Sequence, residues 1–324
     1  MRFVVYGAGA IGGFVAARLG LADIPVTLIA RGEHALAIRK NGFQVLTPDN
    51  DYQVPLDVIE SAADIHAGND TFVLLCVKSH STTAALRELR NALPDSTPVA
   101  CLQNGVDNER QAARLFAHVY GVSVMCPNTF LEPGIISAYS SPTIGALDTG
   151  PYVGGNDSQL NELSLSFKLA GFASSILPNI MEHKYGKLLN NLGNAVEVVC
   201  GPPARRGPVT SFAQQEGRAC FEAHSIPFTE DSPNSSLVTP QPIHGQKRPA
   251  GSTWQSVQRR SAGTETDYLN GEIVMLGRQA GVATPMNRLL QELVRRVGSD
   301  PELIGSFPEA DVIARAGYPP VSGG

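Results

Sequence analysis

The stretch from Met1 to Arg31 constrains the fold of this chain more than any other. Arg2-Phe3-Val4-Val5-Tyr6 is a short run of β-branched and aromatic residues. Gly7-Ala8-Gly9-Ala10-Ile11-Gly12 follows at once, then a small, apolar segment to Leu21, then a second apolar run from Val26 to Ala30. That order is strand, glycine turn, helix, strand, the βαβ unit that cradles a dinucleotide. Gly7 permits the tight turn, Gly9 lets the backbone approach a pyrophosphate, and Gly12 lets the helix pack close to the strands. The free N–H groups and positive dipole end of the helix would hold the phosphates. Gly7, Ala8, Gly9, Ala10, Ile11 and Gly12 are therefore the first candidate cofactor-binding residues.

The end of the second strand selects the dinucleotide. An NAD site usually places Asp or Glu there, about 20 residues past the glycines, to accept the ribose 2′-hydroxyl. This chain has Arg31. A carboxylate repels a 2′-phosphate, whereas a guanidinium binds it with charge-assisted hydrogen bonds. The expected cofactor is NADP(H).

At 324 residues the chain is long enough for two domains. Charged residues make up 17% and hydrophobic residues 43%, which excludes a disordered chain. The net charge of −5 with no basic cluster argues against nucleic acid as a partner. The five cysteines, Cys76, Cys101, Cys126, Cys200 and Cys220, form no C-x-x-C pair and read as reduced thiols of a cytoplasmic protein. The N-terminus reads as a strand rather than a signal peptide, and no apolar run reaches membrane-spanning length. No metal site is expected.

Further along, 33–41 reads as a helix closed by Gly42, and 43–57 as a hairpin around Pro48-Asp49-Asn50-Asp51. The apolar runs 70–77 and 98–102 read as strands buried on both faces of a parallel sheet. Helices are expected at 81–93 and 109–116, and strands at 119–125, 135–136 and 143–145. The fold class is α/β: an N-terminal Rossmann-type doubly wound sheet plus an all-helical C-terminal domain. Ligands of such sheets bind beyond the carboxyl ends of the strands, which singles out Lys78 and Asn104 as cofactor-side residues.

From Asn179 onward helix patterns dominate. A single helix over 182–199 would carry Lys184, Lys187, Asn191 and Asn194 along one stripe among Leu and Val. An asparagine in such a setting needs a polar partner, such as a bound substrate, because leaving it unpaired costs roughly 1–3 kcal/mol. Helices are also expected at 211–223, from 265 to about 281, and at 286–297, with 201–208 and 231–251 as loops. The expected division is 1–178 for an NADP(H)-binding domain, 179–306 for a helical substrate and catalytic domain, and 307–324 for a mobile tail.

Six motifs in order resemble the ketopantoate reductases (2-dehydropantoate 2-reductases). They are Gly7 to Gly12, Cys76-Val77-Lys78, Gln103-Asn104-Gly105, Lys187-Leu188-Leu189-Asn190-Asn191, Ser252-Thr253-Trp254-Gln255 and Glu265-Thr266-Asp267-Tyr268-Leu269-Asn270-Gly271. The resemblance implies NADPH-dependent reduction of a 2-oxo acid, in the family's named case ketopantoate to pantoate for pantothenate and coenzyme A synthesis. It implies Lys187 as proton donor, Asn191 as a catalytic, substrate-binding residue and Glu265 at both cofactor and active site. It assigns Ser252, Thr253, Trp254 and Gln255 to the substrate, and Lys78, Asn104 and Ala138 to the cofactor side. Asn194 is added as substrate-binding because the family's further asparagine, eight residues after the lysine, is replaced here by Ala195. The expected partners are a small-molecule 2-oxo acid and at most a second copy of the chain, a homodimer, with no nucleic acid and no membrane. Two alternatives stay open: a paralogous reductase of another 2-oxo acid or carbonyl compound, and a non-catalytic NADP(H)-binding redox sensor. Lys187, Asn191 and Glu265 together speak against the sensor, which need not keep a proton donor.

Overall fold

The computed structural model describes residues 1–320 except 67, 69, 156 and 260–262. The chain divides into two compact units, Met1–Lys184 with Asp231–Arg248, and Tyr185–Glu230 with Pro249–Gly324. The first unit thus extends past the expected boundary at 178 and takes back part of the 231–251 loop.

The first unit runs β1 (Arg2–Tyr6), α1 (Gly12–Leu21), β2 (Val26–Ile29), α2 (Gly32–Asn41), β3 (Phe43–Leu46), β4 (Tyr52–Val54), β5 (Asp57–Ile59), β6 (Thr71–Leu75), α3 (Thr82–Ala92), β7 (Val99–Cys101), α4 (Asn108–Ala112), β8 (Val119–Met125), β9 (Asn128–Thr129), β10 (Ile135–Ala138), β11 (Ala146–Pro151) and α5 (Ser158–Leu169). A seven-stranded sheet has the order β11-β8-β7-β6-β1-β2-β5, parallel except for the β11–β8 pair. The chain enters at β1, winds one way through β2 to β5, then returns to β6 on the other side. The topological switch point, where such sheets bind ligands, lies between β1 and β6. A second sheet, β4-β3-β10-β9, contains the expected β3–β4 hairpin with Phe43 opposite Val54.

Alternation along the central strands divides the core. Phe3, Val5, Phe72 and Leu74 belong to one buried cluster, with Phe14 and Leu19 of α1. Val4, Tyr6, Val73 and Leu75 belong to another, with Leu86 and Leu89 of α3. Both faces are therefore covered, which is why these strands read as unbroken apolar runs.

The expected strand at 143–145 lies instead at Ala146–Pro151. Gly150 and Pro151 disguise it from a propensity reading, and Pro151 is tolerated because β11 is an edge strand. The helix α5, capped by the Asp157 carboxylate on the Leu160 N–H at 2.8 Å, was not expected.

The helix α6 (Ile180–Asn191) begins in the first unit and continues into the second. It is followed by α7 (Gly193–Cys200), α8 (Pro208–Ala223), α9 (Ser252–Gln258), α10 (Asn270–Ala280), α11 (Pro285–Ser299) and α12 (Glu309–Arg315). Among the described residues the second unit has no strand, as an all-helical domain requires. The expected continuous helix over 182–199 is interrupted at Leu192, where Ala195 N–H bonds back three residues, to Leu192 O, at 3.3 Å. Gly193 follows, and the carbonyl of Arg205 approaches to within 2.9 Å of where its Cβ would be, so close packing accompanies the break. The expected helix from 265 is likewise divided, into a 3₁₀ turn at Glu265–Tyr268 and α10, with Leu269 off helical geometry at ψ −84°.

The segment expected as a mobile tail carries a helix and side-chain contacts. Residues 309–315 form α12, the Tyr318 ring stacks on Phe212 with centroids 4.2 Å apart, and Tyr318 donates to Glu216 at 2.8 Å. Glu216 also accepts the N–H groups of Met286 at 2.7 Å and Asn287 at 2.9 Å, so a carboxylate of α8 closes the start of α11. Residues 321–324 lie outside the described residues. Among the described residues no helix is long and apolar enough to cross a membrane.

Candidate active site

Strand register brings the residues expected on the cofactor side to one edge of the sheet. Ile29, Tyr6, Leu75 and Cys101 stand in one row of the sheet. The segments that follow them carry Arg31, the glycine turn, Lys78 and Asn104.

The glycine turn fits a dinucleotide. Gly7 has φ 109°, and a Cβ on it would lie 2.9 Å from Val77 N. A Cβ on Gly12 would lie 2.0 Å from the Gly7 carbonyl and 2.6 Å from Cys76 Cβ. These two glycines are explained by the protein's own packing. At Gly9 no atom of the described residues lies within 4 Å of the position a Cβ would take. The protein itself does not require that glycine, whereas a phosphate lying against the backbone would. A cavity of about 300 Å³ opens beside the turn, lined by Gly7, Gly9, Arg31, His34, Val77 and Phe130 among others.

Two polar residues that sequence reading missed hold this turn. Gly134 N–H donates to His34 Nδ1 at 2.8 Å, so the other ring nitrogen carries the proton and donates to the Ala8 carbonyl at 2.8 Å. Asn128, 3% exposed, donates to the Ala10 carbonyl at 3.1 Å. Asn128 pairs with Ala138 across β9 and β10. Ala138 is itself 1% exposed and belongs to the same buried cluster as Ala8 of the turn. A lone histidine on a helix and an asparagine in a strand carry no sequence signal of their own.

Arg31, just past β2, is held by three partners. Its Nε donates to the Glu60 carbonyl at 2.9 Å, and its Nη2 to the Tyr6 hydroxyl at 2.9 Å and Glu88 at 2.6 Å. The guanidinium lies over the Tyr6 ring, 5.6 Å from its centroid, with 57% of the side chain exposed. Glu88 also accepts from Ser61 Oγ and Ala62 N–H. Partial burial acts to raise the Glu88 carboxyl, but the Tyr6 hydroxyl, the Ala62 N–H, Arg31 and Ser61 hold it at about 2.

Lys78 and Asn104 are both half-buried. Their segments are tied together by Gln103, whose amide donates to the Val77 carbonyl at 2.8 Å and to Thr82 Oγ1 at 2.7 Å. The Asn104 carbonyl accepts from Asn108 at 2.9 Å. Beneath them Lys184, 3% exposed, donates to the Gln103 carbonyl at 2.9 Å and pairs with the fully buried Glu109. Burial pushes the Glu109 carboxyl up, opposed by Lys184. Lys184 therefore leaves the expected stripe: it is a structural cation of the first unit.

The residues that the resemblance assigns to the substrate lie in the second unit. Lys187 is half-buried on α6, and Gly186 beside it lets the Thr229 carbonyl pass within 1.8 Å of where a Cβ would stand. Asn191, 9% exposed, ends α6, and its side-chain N–H₂ has no hydrogen-bond partner among the described residues. Asn194, 4% exposed, is on α7 beyond the break. On α9, Ser252 and Trp254 are half-buried and Thr253 and Gln255 are buried. Gln255 donates to the Ala250 carbonyl at 3.3 Å, and Trp254 packs against a cluster of Val198, Val257 and Val297. Glu265 is buried in the 3₁₀ turn. Among the described residues no group of three or more His, Cys, Asp or Glu side chains could hold a metal.

The family description "Ketopantoate reductase PanE/ApbA" matches residues 3–149, and "Ketopantoate reductase PanE/ApbA C terminal" matches residues 179–298. A 2-dehydropantoate 2-reductase of Halobacterium salinarum is 28% identical, the match covering 93% of this chain and 100% of that protein. A PanE/ApbA family ketopantoate reductase structure from Ralstonia eutropha is 27% identical with a TM-score of 0.77, covering 93% of this chain and 100% of the other. D-mandelate dehydrogenase with NADH and anilino(oxo)acetate shares the fold, with a TM-score of 0.78 at 21% identity over 94% of this chain and 99% of the other. With the parallel sheet, the glycine turn and the helical unit, these matches make the chain an oxidoreductase that belongs to the ketopantoate reductase family.

Proposed function

We propose that this chain reduces a 2-oxo acid with NADPH, with 2-dehydropantoate as substrate, pantoate as product and Lys187 as proton donor. The cofactor half is supported by the open space at Gly9 and by a guanidinium where an NAD site would place a carboxylate. The substrate half is carried by Asn191. A buried N–H₂ one turn after Lys187, with no acceptor among the described residues, suits a carboxylate or hydroxyl oxygen of a bound oxo acid.

The chemistry that the cofactor supplies when bound is a hydride. Addition of that hydride to the carbonyl carbon leaves negative charge on oxygen. The ammonium of Lys187 stabilises this charge and transfers a proton to it, giving the hydroxy acid. Asn191 and Ser252 orient the acid, Glu265 keeps the lysine charged, and Thr253, Trp254 and Gln255 shape the pocket wall. Lys78 and Asn104 hold the cofactor beyond the strand ends.

Another 2-oxo acid is the second reading. It is favoured by Ala195, which is buried on α7 and offers no polar atom where the family resemblance leads one to expect a further asparagine. Reduced-nicotinamide absorbance with 2-dehydropantoate and a panel of 2-oxo acids decides between them. Turnover of 2-dehydropantoate at the highest kcat/KM supports the first reading, and saturable NADPH binding with no oxidation by any oxo acid overturns both.

A further inference from the structure

Glu197 lies one turn beyond Asn194 on α7 and is 6% exposed. Both of its carboxylate oxygens accept the N–H of Gly251, at 3.2 Å each, and Arg205 donates to it at 2.7 Å. Gly251 is buried and extended, with ψ 175°, and directly precedes Ser252. A Cβ there would lie 2.4 Å from Glu197 Oε2 and 3.0 Å from Arg205 Nη1. The carboxylate therefore fills the space that a side chain at 251 would need. The Arg205 backbone is pinned as well, because its carbonyl accepts from Thr210 at 3.0 Å and closes on Gly193. Three separate segments of the second unit thus meet on one ion pair, its carboxylate buried and its arginine side chain 36% exposed.

From this geometry we infer that Glu197 and Arg205 position the Ser252–Gln255 segment and keep its surroundings electrically neutral, so that the segment accepts an anionic substrate. This rests on the reading of Ser252–Gln255 as the substrate segment. The two functions need different parts of the pair. Glu197 supplies the acceptor that fixes Gly251. A lone buried carboxylate beside the segment would repel the carboxylate of a 2-oxo acid, and Arg205 cancels that field.

The charges make opposite predictions for two variants. Arg205→Met leaves Glu197 unopposed, and the KM for the 2-oxo acid rises by about three- to tenfold at low salt. Glu197→Gln keeps an acceptor for Gly251 but leaves Arg205 cationic, and the KM falls by about two- to threefold. The double variant returns toward the wild-type KM. The methyl ester of the same oxo acid, which carries no charge, shows neither change. The dissociation constant for NADPH, followed by fluorescence, stays fixed in all three. Shifts of the same sign in both single variants, as loss of structure would produce, overturn the inference, as do shifts that the ester shares. If Arg205→Met does not fold, Glu197→Gln alone decides by the sign of its effect. Ser252→Ala separates the two levels. An unchanged KM there overturns the reading of the segment, whereas a raised KM there with none of the charge-dependent shifts overturns only the role of the pair.

Discussion

Lys184 and Glu109 form an ion pair with both side chains buried, and the lysine also holds the carbonyl of Gln103 at 2.9 Å. Two charges out of water are tolerable only together, so removing one strands the other. Lys184→Met is expected to lower unfolding free energy by ~3–5 kcal/mol. Adding Glu109→Leu should recover part of that loss. Urea unfolding of the two variants checks both statements, and a double variant less stable than Lys184→Met contradicts them.

Lys187, three residues along the same helix, is expected to behave in the opposite way. Lys187→Ala should lower kcat by ~10²–10⁴-fold while leaving NADPH affinity and unfolding free energy near wild type. Stopped-flow reduction and equilibrium binding separate these quantities. Turnover at the wild-type rate removes Lys187 from its role.

Arg31 is preorganised by Glu60, Tyr6 and Glu88, with its outer edge exposed. Arg31→Asp should weaken NADPH by about 10–100-fold through the loss of charge-assisted bonds, with a much smaller effect on NADH. Titration with both nucleotides tests this, and equal losses would show that Arg31 does not read the 2′-phosphate.

Glu88 gives the first unit an acid-sensitive increment of stability. Its carboxyl lies at about 2 in the folded protein, against ~4.3 when unfolded. A depressed carboxyl stabilises the fold above the unfolded value, and that contribution is lost as pH falls from about 4.3 through about 2. Glu88→Gln should therefore lower Tm at ~pH 6 and converge on wild type as the pH drops below ~4. Thermal melts across that range suffice, and a Tm gap independent of pH argues against the carboxylate as its source.

Tyr318 joins the C-terminal segment to Glu216 at 2.8 Å while stacking on Phe212. Tyr318→Phe keeps the stacking and should cost about 1 kcal/mol, and Tyr318→Ala more than that. Hydrogen exchange at the Met286 and Asn287 amides, which share Glu216, should rise in both variants. Unchanged exchange would mean that Glu216 closes the start of α11 without the tyrosine.

The first unit was legible because its signals are local. A strand buried on both faces reads as an apolar run, and a glycine turn has a fixed spacing. The strand at Ala146–Pro151 escaped notice because its edge position admits glycine and proline, which propensity assigns to turns. In the helical unit, period and composition located the helices, but the break at Leu192 goes with the Arg205 carbonyl passing close to Gly193, an approach between residues 12 apart that helical period does not register. The same limit applied to the site. Arg31, Lys78 and Asn104 follow strands and could be placed by topology. His34, Asn128 and Glu197 act through backbone groups far along the chain, and no spacing announces them.

The segment Asp231–Arg248 belongs to the first unit although 46 residues of the second, Tyr185–Glu230, precede it. Asn234 bonds to Asp148 and Ser175, and Ser140 bridges to Pro240. On the ribosome the nucleotide-binding half cannot complete its native contacts when Lys184 emerges. It waits until the first three helices of its neighbour have been synthesised, so the two halves mature in overlapping rather than successive stages. A gene cut at residue 184 would accordingly release a half with that surface uncovered.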